Sequence, residues 1–242
     1  MTVRAGMTQK CVNPNNMKTL SIIIPAYNEE KTIGTVLEKV ITAPLGGWER
    51  DIIVVNDGSQ DKTEHALAPY KNEITYISHE KNRGKGAAIR SALPHVRGDA
   101  VLIQDADLEY HLEDIPALLS KLEHARVHAV YGSRNIHPER RGYRHYVLGA
   151  QILTTLVNLC FGSKLTDSYT CYKLIRTPAL KELNLKSNGF EYEMEVTAQL
   201  LKRGYTIKEV PIRYSPRSFK DGKKIRTRDG VKGIITLLKS LR

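Results

Sequence analysis

The sequence predicts an α/β protein with a mostly parallel central sheet and helices on both faces. Short, nearly continuous apolar runs recur in the first half of the chain, which is typical of strands that are buried on both faces. Amphipathic segments separate these runs, as the crossover connections of parallel strands require. At 242 residues the chain suits one such domain. We predict this domain over residues 18–242, after a polar, disordered leader at 1–17 that lacks the apolar core of a signal peptide.

The elements are predicted in chain order from periodicity and from residues that end them. The first strand is rich in β-branched residues and ends at Pro25, and the first helix has four apolar residues on one face. Strands are predicted at 20–24, 51–55, 74–78, 100–103 and 129–132. Helices are predicted between them at 28–42, 61–70 and 87–95.

Polar residues follow these strands at the edge where ligands bind in open α/β sheets. Asp105 and Asp107 follow the fourth strand and, being two apart at a strand end, point the same way. Two such carboxylates suit Mg²⁺ or Mn²⁺, which leaves positions open for substrate phosphate oxygens. Lys85 stands between two glycines, as in a phosphate-approach loop, although the spacing is not that of a Walker A motif. The sequence therefore predicts a site for a nucleotide diphosphate.

Several motifs follow one another along the chain in a fixed order. They are Ile24-Pro25-Ala26-Tyr27-Asn28-Glu29, Val55-Asn56-Asp57-Gly58-Ser59, Asn82-Arg83-Gly84-Lys85-Gly86, Gln104-Asp105-Ala106-Asp107, Gly132-Ser133-Arg134, Asp167 and Gly189-Phe190-Glu191. Together they resemble the family 2 glycosyltransferases with the GT-A fold. The resemblance covers the chain from about residue 19, and the subgroup it most resembles is that of dolichyl-phosphate mannose synthases and polyprenyl-phosphate glycosyltransferases.

The resemblance implies a nucleotide-sugar donor, GDP- or UDP-hexose, and a divalent cation. Asp105 and Asp107 would anchor the metal and the donor, and transfer would invert the anomeric configuration. Glu109 stands where mannose synthases often have a glutamine metal ligand, so we count it as a third candidate ligand. The candidate nucleotide-binding residues are Pro25, Ala26, Tyr27, Glu29, Asp57, Lys85 and Asp105.

Two classes of acceptor remain open, and they require different chemistry. A lipid phosphate is already anionic and needs cations to position it, for which guanidinium groups are well suited. A sugar or protein hydroxyl needs a general base, for which Asp167 is the first candidate, although it is also a natural turn residue. A non-catalytic binding protein on the same fold is a third alternative. The candidate acceptor-phosphate residues, by resemblance, are Arg134, Arg144, Arg217, Lys223 and Lys224.

The charge distribution indicates an anionic partner for the second half of the chain. Residues 137–242 carry 21 Lys and Arg against 9 Asp and Glu, and the whole chain has a net charge of +11. Because no nucleic-acid recognition motif is present, we favour phosphate or an anionic membrane surface. We therefore divide the domain into a donor half, about 18–135, and an acceptor and membrane-facing half, about 136–242.

Two apolar segments bear on the membrane. Residues 146–161 carry no charge but are too short to span a bilayer, so they form either a buried helix or one at the lipid interface. The pattern of residues 229–241 predicts a basic amphipathic helix, which suits either an anionic membrane surface or packing on the core. Three cysteines without a CxxC pair favour the reducing cytosol. We expect a cytoplasmic protein, peripheral at the cytosolic membrane face; many relatives continue into transmembrane helices, so a membrane-protein partner is a further expectation.

Overall fold

The computed structural model describes residues 17–136, 144–217 and 227–241. The predicted leader lies outside these residues except for Met17, which is exposed. Within the described residues, no helix is both long enough and apolar enough to cross a membrane.

The centre of the protein is one seven-stranded sheet with the order β3-β2-β1-β4-β6-β5-β7. All pairings are parallel except those of β6, which runs antiparallel to both β4 and β5. The mostly parallel α/β fold predicted from the sequence is confirmed. The strands are β1 (Thr19–Ala26), β2 (Glu49–Asn56), β3 (Thr75–Ser78), β4 (Ala100–Ile103), β5 (Ala129–Ser133), β6 (Lys173–Arg176) and β7 (Ile207–Pro211).

Helices cover both faces of the sheet because side chains alternate along each buried strand. In β1, Ile22 and Ile24 pack in a core with α1 and α4, whereas Ile23 packs on the other face with α3, α6 and α7. A smaller core joins α5, α7 and α8. The helices are α1 (Ile33–Thr42), α2 (Thr63–Leu67), α3 (Lys85–Ala92), α4 (Ile115–Leu122), α5 (Arg144–Phe161), α6 (Thr177–Lys181), α7 (Tyr192–Lys202) and α8 (Thr227–Ser240).

The largest boundary differences lie at the functional edge of the sheet. The first helix begins at Ile33 rather than at residue 28, because Asn28 has a φ of +50° and residues 28–30 bind the segment after β2. There the Asn28 amide donates to Ser59 Oγ, and the Glu29 amide donates to Thr63 Oγ1. Strand β1 in turn extends beyond the prediction, since its last two residues pair with β2.

Candidate active site

Most of the sequence-predicted site residues meet at the carboxyl edge of the sheet. Residues 25 and 26 end β1 and Tyr27 follows it, Asp57 follows β2, Asp105 and Asp107 follow β4, and Arg134 follows β5. This edge is where the parallel strands of an open α/β sheet present ligand-binding loops. Side chains from the second half of the chain reach the same edge, as the following contacts show.

Asp57 organises the glycine-containing loop before α3. Its Oδ1 accepts hydrogen bonds from His79 Nδ1 at 2.6 Å and from the Arg83 amide at 2.9 Å, and its Oδ2 accepts from the Gly84 amide at 2.8 Å. Gly84 has a φ of +98°, and a Cβ there would lie 2.4 Å from Asn188 O, so the position requires glycine. This predicted nucleotide-binding carboxylate thus also fixes the loop that leads into Lys85, the first residue of α3.

Lys85 and Asp105 form a buried ion pair, with Nζ 2.6 Å from Oδ1. Glu193 of α7 lies 3.1 Å from the same ammonium and also binds Lys173 at 2.6 Å. Burial would lower the pKa of Lys85, but Asp105 and Glu193 outweigh it and hold that pKa well above its usual value. Burial likewise opposes ionisation of Asp105, yet Lys85 lowers its pKa. Both groups are therefore charged, and Lys85 holds Asp105 in place at the carboxyl edge of the sheet. We call this part of the edge the donor edge, because the predicted nucleotide-binding residues lie there.

Asp107 lies in an acidic cluster that the guanidinium of Arg217 enters. Arg217 Nη2 donates to Asp107 Oδ2 at 2.8 Å, and Nη1 donates to Glu29 Oε2 at 3.0 Å. Glu109 accepts the Arg217 amide at 2.8 Å and the Tyr214 hydroxyl, so its carboxylate fixes this segment. Burial, followed by repulsion from neighbouring carboxylates, raises the pKa of Asp107 to about 7.

Asp167 is buried and bound by Arg134 in a bidentate pair. Arg134 Nε and Nη2 donate to the two carboxylate oxygens at 2.7 and 2.9 Å, and the Arg134 amide adds a third hydrogen bond at 3.1 Å. Asp167 is 0% exposed, whereas the Arg134 side chain is 20% exposed. Burial would lower the pKa of Arg134, but Asp167 outweighs it and holds that pKa well above its usual value. The arrangement orients a cation at the rim and leaves Asp167 shielded from solvent.

For some predicted acceptor residues the structure describes no side chain. Arg144 is the first residue of α5, but its side chain is not among those described, and Lys223 and Lys224 fall between the described ranges. Their roles in binding the acceptor stay predictions.

Sequence reasoning missed partners that come from distant parts of the chain. Glu193, His79 and Tyr214 each bind a predicted site residue, namely Lys85, Asp57 and Glu109, over separations of 22 to 108 positions along the chain. Glu193 had a usable signal, since it lies two residues after the end of the Gly189-Phe190-Glu191 motif. His79 and Tyr214 had none, because single polar residues after strands have no periodicity.

The carboxylates at this edge suit a hard divalent cation whose remaining ligands come from the substrate. The rim offers carboxylate oxygens, which Mg²⁺ and Mn²⁺ prefer, and Mg²⁺ is usually held by one or two carboxylates plus phosphate oxygens. Asp107 is the best placed, because its partner Arg217 already shows that positive charge is favourable there. Across the described residues, however, no three His, Cys, Asp or Glu side chains converge as a metal cluster. The metal-binding roles of Asp105, Asp107 and Glu109 stay predictions.

The fold and this edge define an α/β protein of the GT-A class. The chain belongs to glycosyl transferase family 2, because the family model of that name matches residues 21–183. This confirms the resemblance inferred from the motifs.

Curated relatives and solved structures extend the comparison. A Haloferax volcanii protein, low-salt glycan biosynthesis hexosyltransferase Agl6, is 30% identical over 84% of this chain, which spans about half (51%) of that relative. The Trichomonas vaginalis dolichyl-phosphate beta-glucosyltransferase ALG5A is 29% identical over 91% of this chain and 72% of its own length. Undecaprenyl-phosphate 4-deoxy-4-formamido-L-arabinose transferase from Salmonella paratyphi B is 27% identical over 86% and 63%.

Among solved structures, Mycobacterium tuberculosis glucosyl-3-phosphoglycerate synthase superposes with a TM-score of 0.73. That structure contains Mn²⁺, UDP and glucosyl-3-phosphoglycerate, and the match covers 93% of this chain and 80% of that one at 23% identity. Another crystal structure of the same enzyme contains Mg²⁺ and UDP. The likeness establishes the GT-A fold.

Proposed function

We propose that this protein transfers a hexose from a nucleotide-diphosphate sugar to a polyprenyl or dolichyl phosphate, with inversion and with a divalent cation, Mg²⁺ or Mn²⁺. Two relatives are named for such acceptors, a dolichyl phosphate and an undecaprenyl phosphate. The observation that carries the choice of acceptor is the Arg134–Asp167 pair. A hydroxyl acceptor needs an accessible base, and Asp167 is buried with both oxygens bound to Arg134.

Different residues would bind the sugar donor and the lipid-phosphate acceptor. Asp57 holds the loop before α3, and through Lys85 that loop fixes Asp105 at the donor edge. A divalent cation, when bound, offsets the negative charge that develops on the leaving diphosphate. Arg134 presents the rest of its guanidinium to the acceptor phosphate while Asp167 holds it in place. Because the phosphate oxygen is already anionic, this scheme requires orientation rather than proton removal.

A matched pair of acceptors tests this function directly. Labelled UDP- and GDP-hexoses are incubated with the protein, Mn²⁺ or Mg²⁺, and either a polyprenyl phosphate or the polyprenol of equal chain length. We expect organic-extractable label only with the phosphate, and its loss with EDTA. Product formed from polyprenol or from water-soluble acceptors, with none from polyprenyl phosphate, would overturn the assignment.

We also propose that α5 and α8 contact an anionic membrane surface. Both helices bury one side in a common core and leave large apolar side chains exposed on the other. In α8 the apolar stripe lies beside exposed Lys232 and Lys239, which complement anionic headgroups. The first turn of α8 contacts Tyr169, two residues from Asp167, so this surface adjoins the acceptor side. The exposed apolar residues are Leu148, Ile152, Leu159, Val231, Ile235, Leu238 and Leu241.

Vesicle sedimentation measures this contact. We expect the protein to sediment with phosphatidylcholine vesicles that contain about one third phosphatidylglycerol, because surface binding grows with charge attraction to anionic lipid and with the apolar area that is buried. Ile235→Glu and Lys232→Glu should each release it, whereas Lys31→Glu, at an exposed position of the first half, should not. Equal sedimentation of all the variants would refute the assignment of this surface.

A further inference from the structure

The guanidinium of Arg217 lies among three carboxylates, in the place where the donor edge would bind a metal. Its Nη2 is 2.8 Å from Asp107 Oδ2, its Nη1 is 3.0 Å from Glu29 Oε2, and its Nε is 3.7 Å from Glu109 Oε1. The side chain is only 16% exposed. One arginine therefore serves as the cation for the same carboxylate that we assign to the divalent metal.

The two cations exclude each other at Asp107. A divalent ion binds a carboxylate oxygen at about 2.0–2.2 Å, so an ion on Oδ2 would lie within about 5 Å of the Arg217 Nη2 that donates to that oxygen. Like charges at this separation in a partly buried site repel strongly. Arg217 must therefore leave Asp107 for a metal to bind there with full affinity.

The contacts of Arg217 are also suited to exchange. Its backbone amide is held by Glu109, so the side chain can change partner without displacing the chain at this residue. Its Nε is buried and makes no hydrogen bond to any described residue, which is a costly state for a charged donor. A phosphate oxygen satisfies such a donor, and guanidinium groups bind phosphate in a bidentate manner.

We propose that Arg217 is an exchangeable internal cation, which occupies Asp107 until a divalent metal takes that carboxylate and then transfers its guanidinium to substrate phosphate. The proposal rests on the metal-dependent donor site of the proposed function. It adds that metal entry and the availability of a phosphate-binding arginine are one event. Donor and metal are thereby favoured to bind before the acceptor, because the arginine is engaged with carboxylates until then.

Binding of Mn²⁺ alone, followed by the paramagnetic resonance signal of the free ion, tests the exchange without any transfer reaction. Arg217→Met removes the competing cation, and we expect Mn²⁺ to bind at least about tenfold more tightly than to the wild type. Arg217→Lys keeps a positive charge and should bind close to the wild type. Arg213→Met is the matched control, since Arg213 pairs with Asp114 and touches none of the donor carboxylates.

Circular dichroism and thermal melting establish that each variant is folded at the binding temperature. Equal or weaker Mn²⁺ binding by folded Arg217→Met would overturn the exchange, because a purely structural arginine or a metal-supporting one gives that result. If Arg217→Met is unfolded, Arg217→Gln takes its place in the comparison with Arg217→Lys. The exchange then predicts that Arg217→Gln binds Mn²⁺ more tightly than Arg217→Lys. Transfer to the wrong acceptor, or no transfer at all, would refute the proposed function and leave these binding results standing.

Discussion

Replacing Asp167 by asparagine separates a positioning role from a catalytic one. Asp167 is fully buried and accepts two side-chain hydrogen bonds and one main-chain hydrogen bond from Arg134. In Asp167→Asn, one carboxylate oxygen becomes an NH₂ group that points a donor at the guanidinium. The substitution keeps the volume and removes the charge, so it leaves a partly buried cation without its counter-charge.

The expected loss of stability follows from this geometry. Breaking a buried ion pair by removing one partner costs about 3–5 kcal/mol, a large part of the roughly 5–15 kcal/mol that stabilises a typical domain. With a urea m-value of about 2 kcal/mol/M, the unfolding midpoint should fall by about 2 M. Asp51→Asn is the control, because Asp51 pairs with Arg97, whose side chain is 75% exposed, near the opposite end of β2. We expect a smaller shift there and unchanged transfer activity.

Kinetics below the melting temperature complete the test. A positioning role predicts that Asp167→Asn raises the KM for polyprenyl phosphate and leaves kcat within about tenfold, since the loosened Arg134 still carries its charge. A general base would instead supply about 10²- to 10⁴-fold in kcat. A kcat loss of that size with an unchanged urea midpoint would refute the reasoning and would favour a hydroxyl acceptor.

Two further substitutions test the donor edge. Burial and neighbouring carboxylates raise the pKa of Asp107 to about 7, against about 3.9 in an unfolded chain, so the folded state holds the proton more tightly and stability falls as pH rises from 4 to 7. Asp107→Asn should therefore raise the unfolding free energy at pH 8 in EDTA by about 1–4 kcal/mol while abolishing Mn²⁺ binding; a lower melting temperature would contradict this. In Gly86→Ala the new Cβ would lie 2.4 Å from Ser187 O, so we expect a loss of about 1–3 kcal/mol. Gly149→Ala, which meets nothing within 4 Å in α5, should be neutral or slightly stabilising, as melting curves would show.

The edge of the sheet was predictable because strand ends are local features. The run at 100–103 ends in Asp105 and Asp107, and the structure places both where β4 ends. The antiparallel strand β6 was not predicted, because it has four residues and begins with a lysine. Lys173 is 0% exposed, and its buried ammonium pairs with Glu193, 20 positions away, and donates to the Thr170 carbonyl. A pattern-based prediction that assigns lysine to the surface misses such a strand.

Helix α4 was missed for a different reason, since its signal was present. Ile115, Leu118, Leu119 and Leu122 have helical spacing and are all buried, with Pro116 in the first turn. The partners of the site residues had no comparable signal. The contact of Arg217 with Glu29 joins residues 188 positions apart. Strands β1 and β7 are not neighbours in the sheet, and the segment after β7 returns toward this edge through a bridge between Tyr110 and Tyr214.

The charges at the donor edge connect these observations to the chemistry. Within the part of the chain that the structure describes, Arg217 pairs with Glu29, Asp107 and Glu109, and Lys85 pairs with Asp105 and Glu193. A divalent cation would add positive charge to this carboxylate-rich edge. An acidic edge repels phosphate, so a reaction between a diphosphate and a lipid phosphate needs cations that are supplied with the substrates or released to them. The exchange at Asp107 would provide both at once.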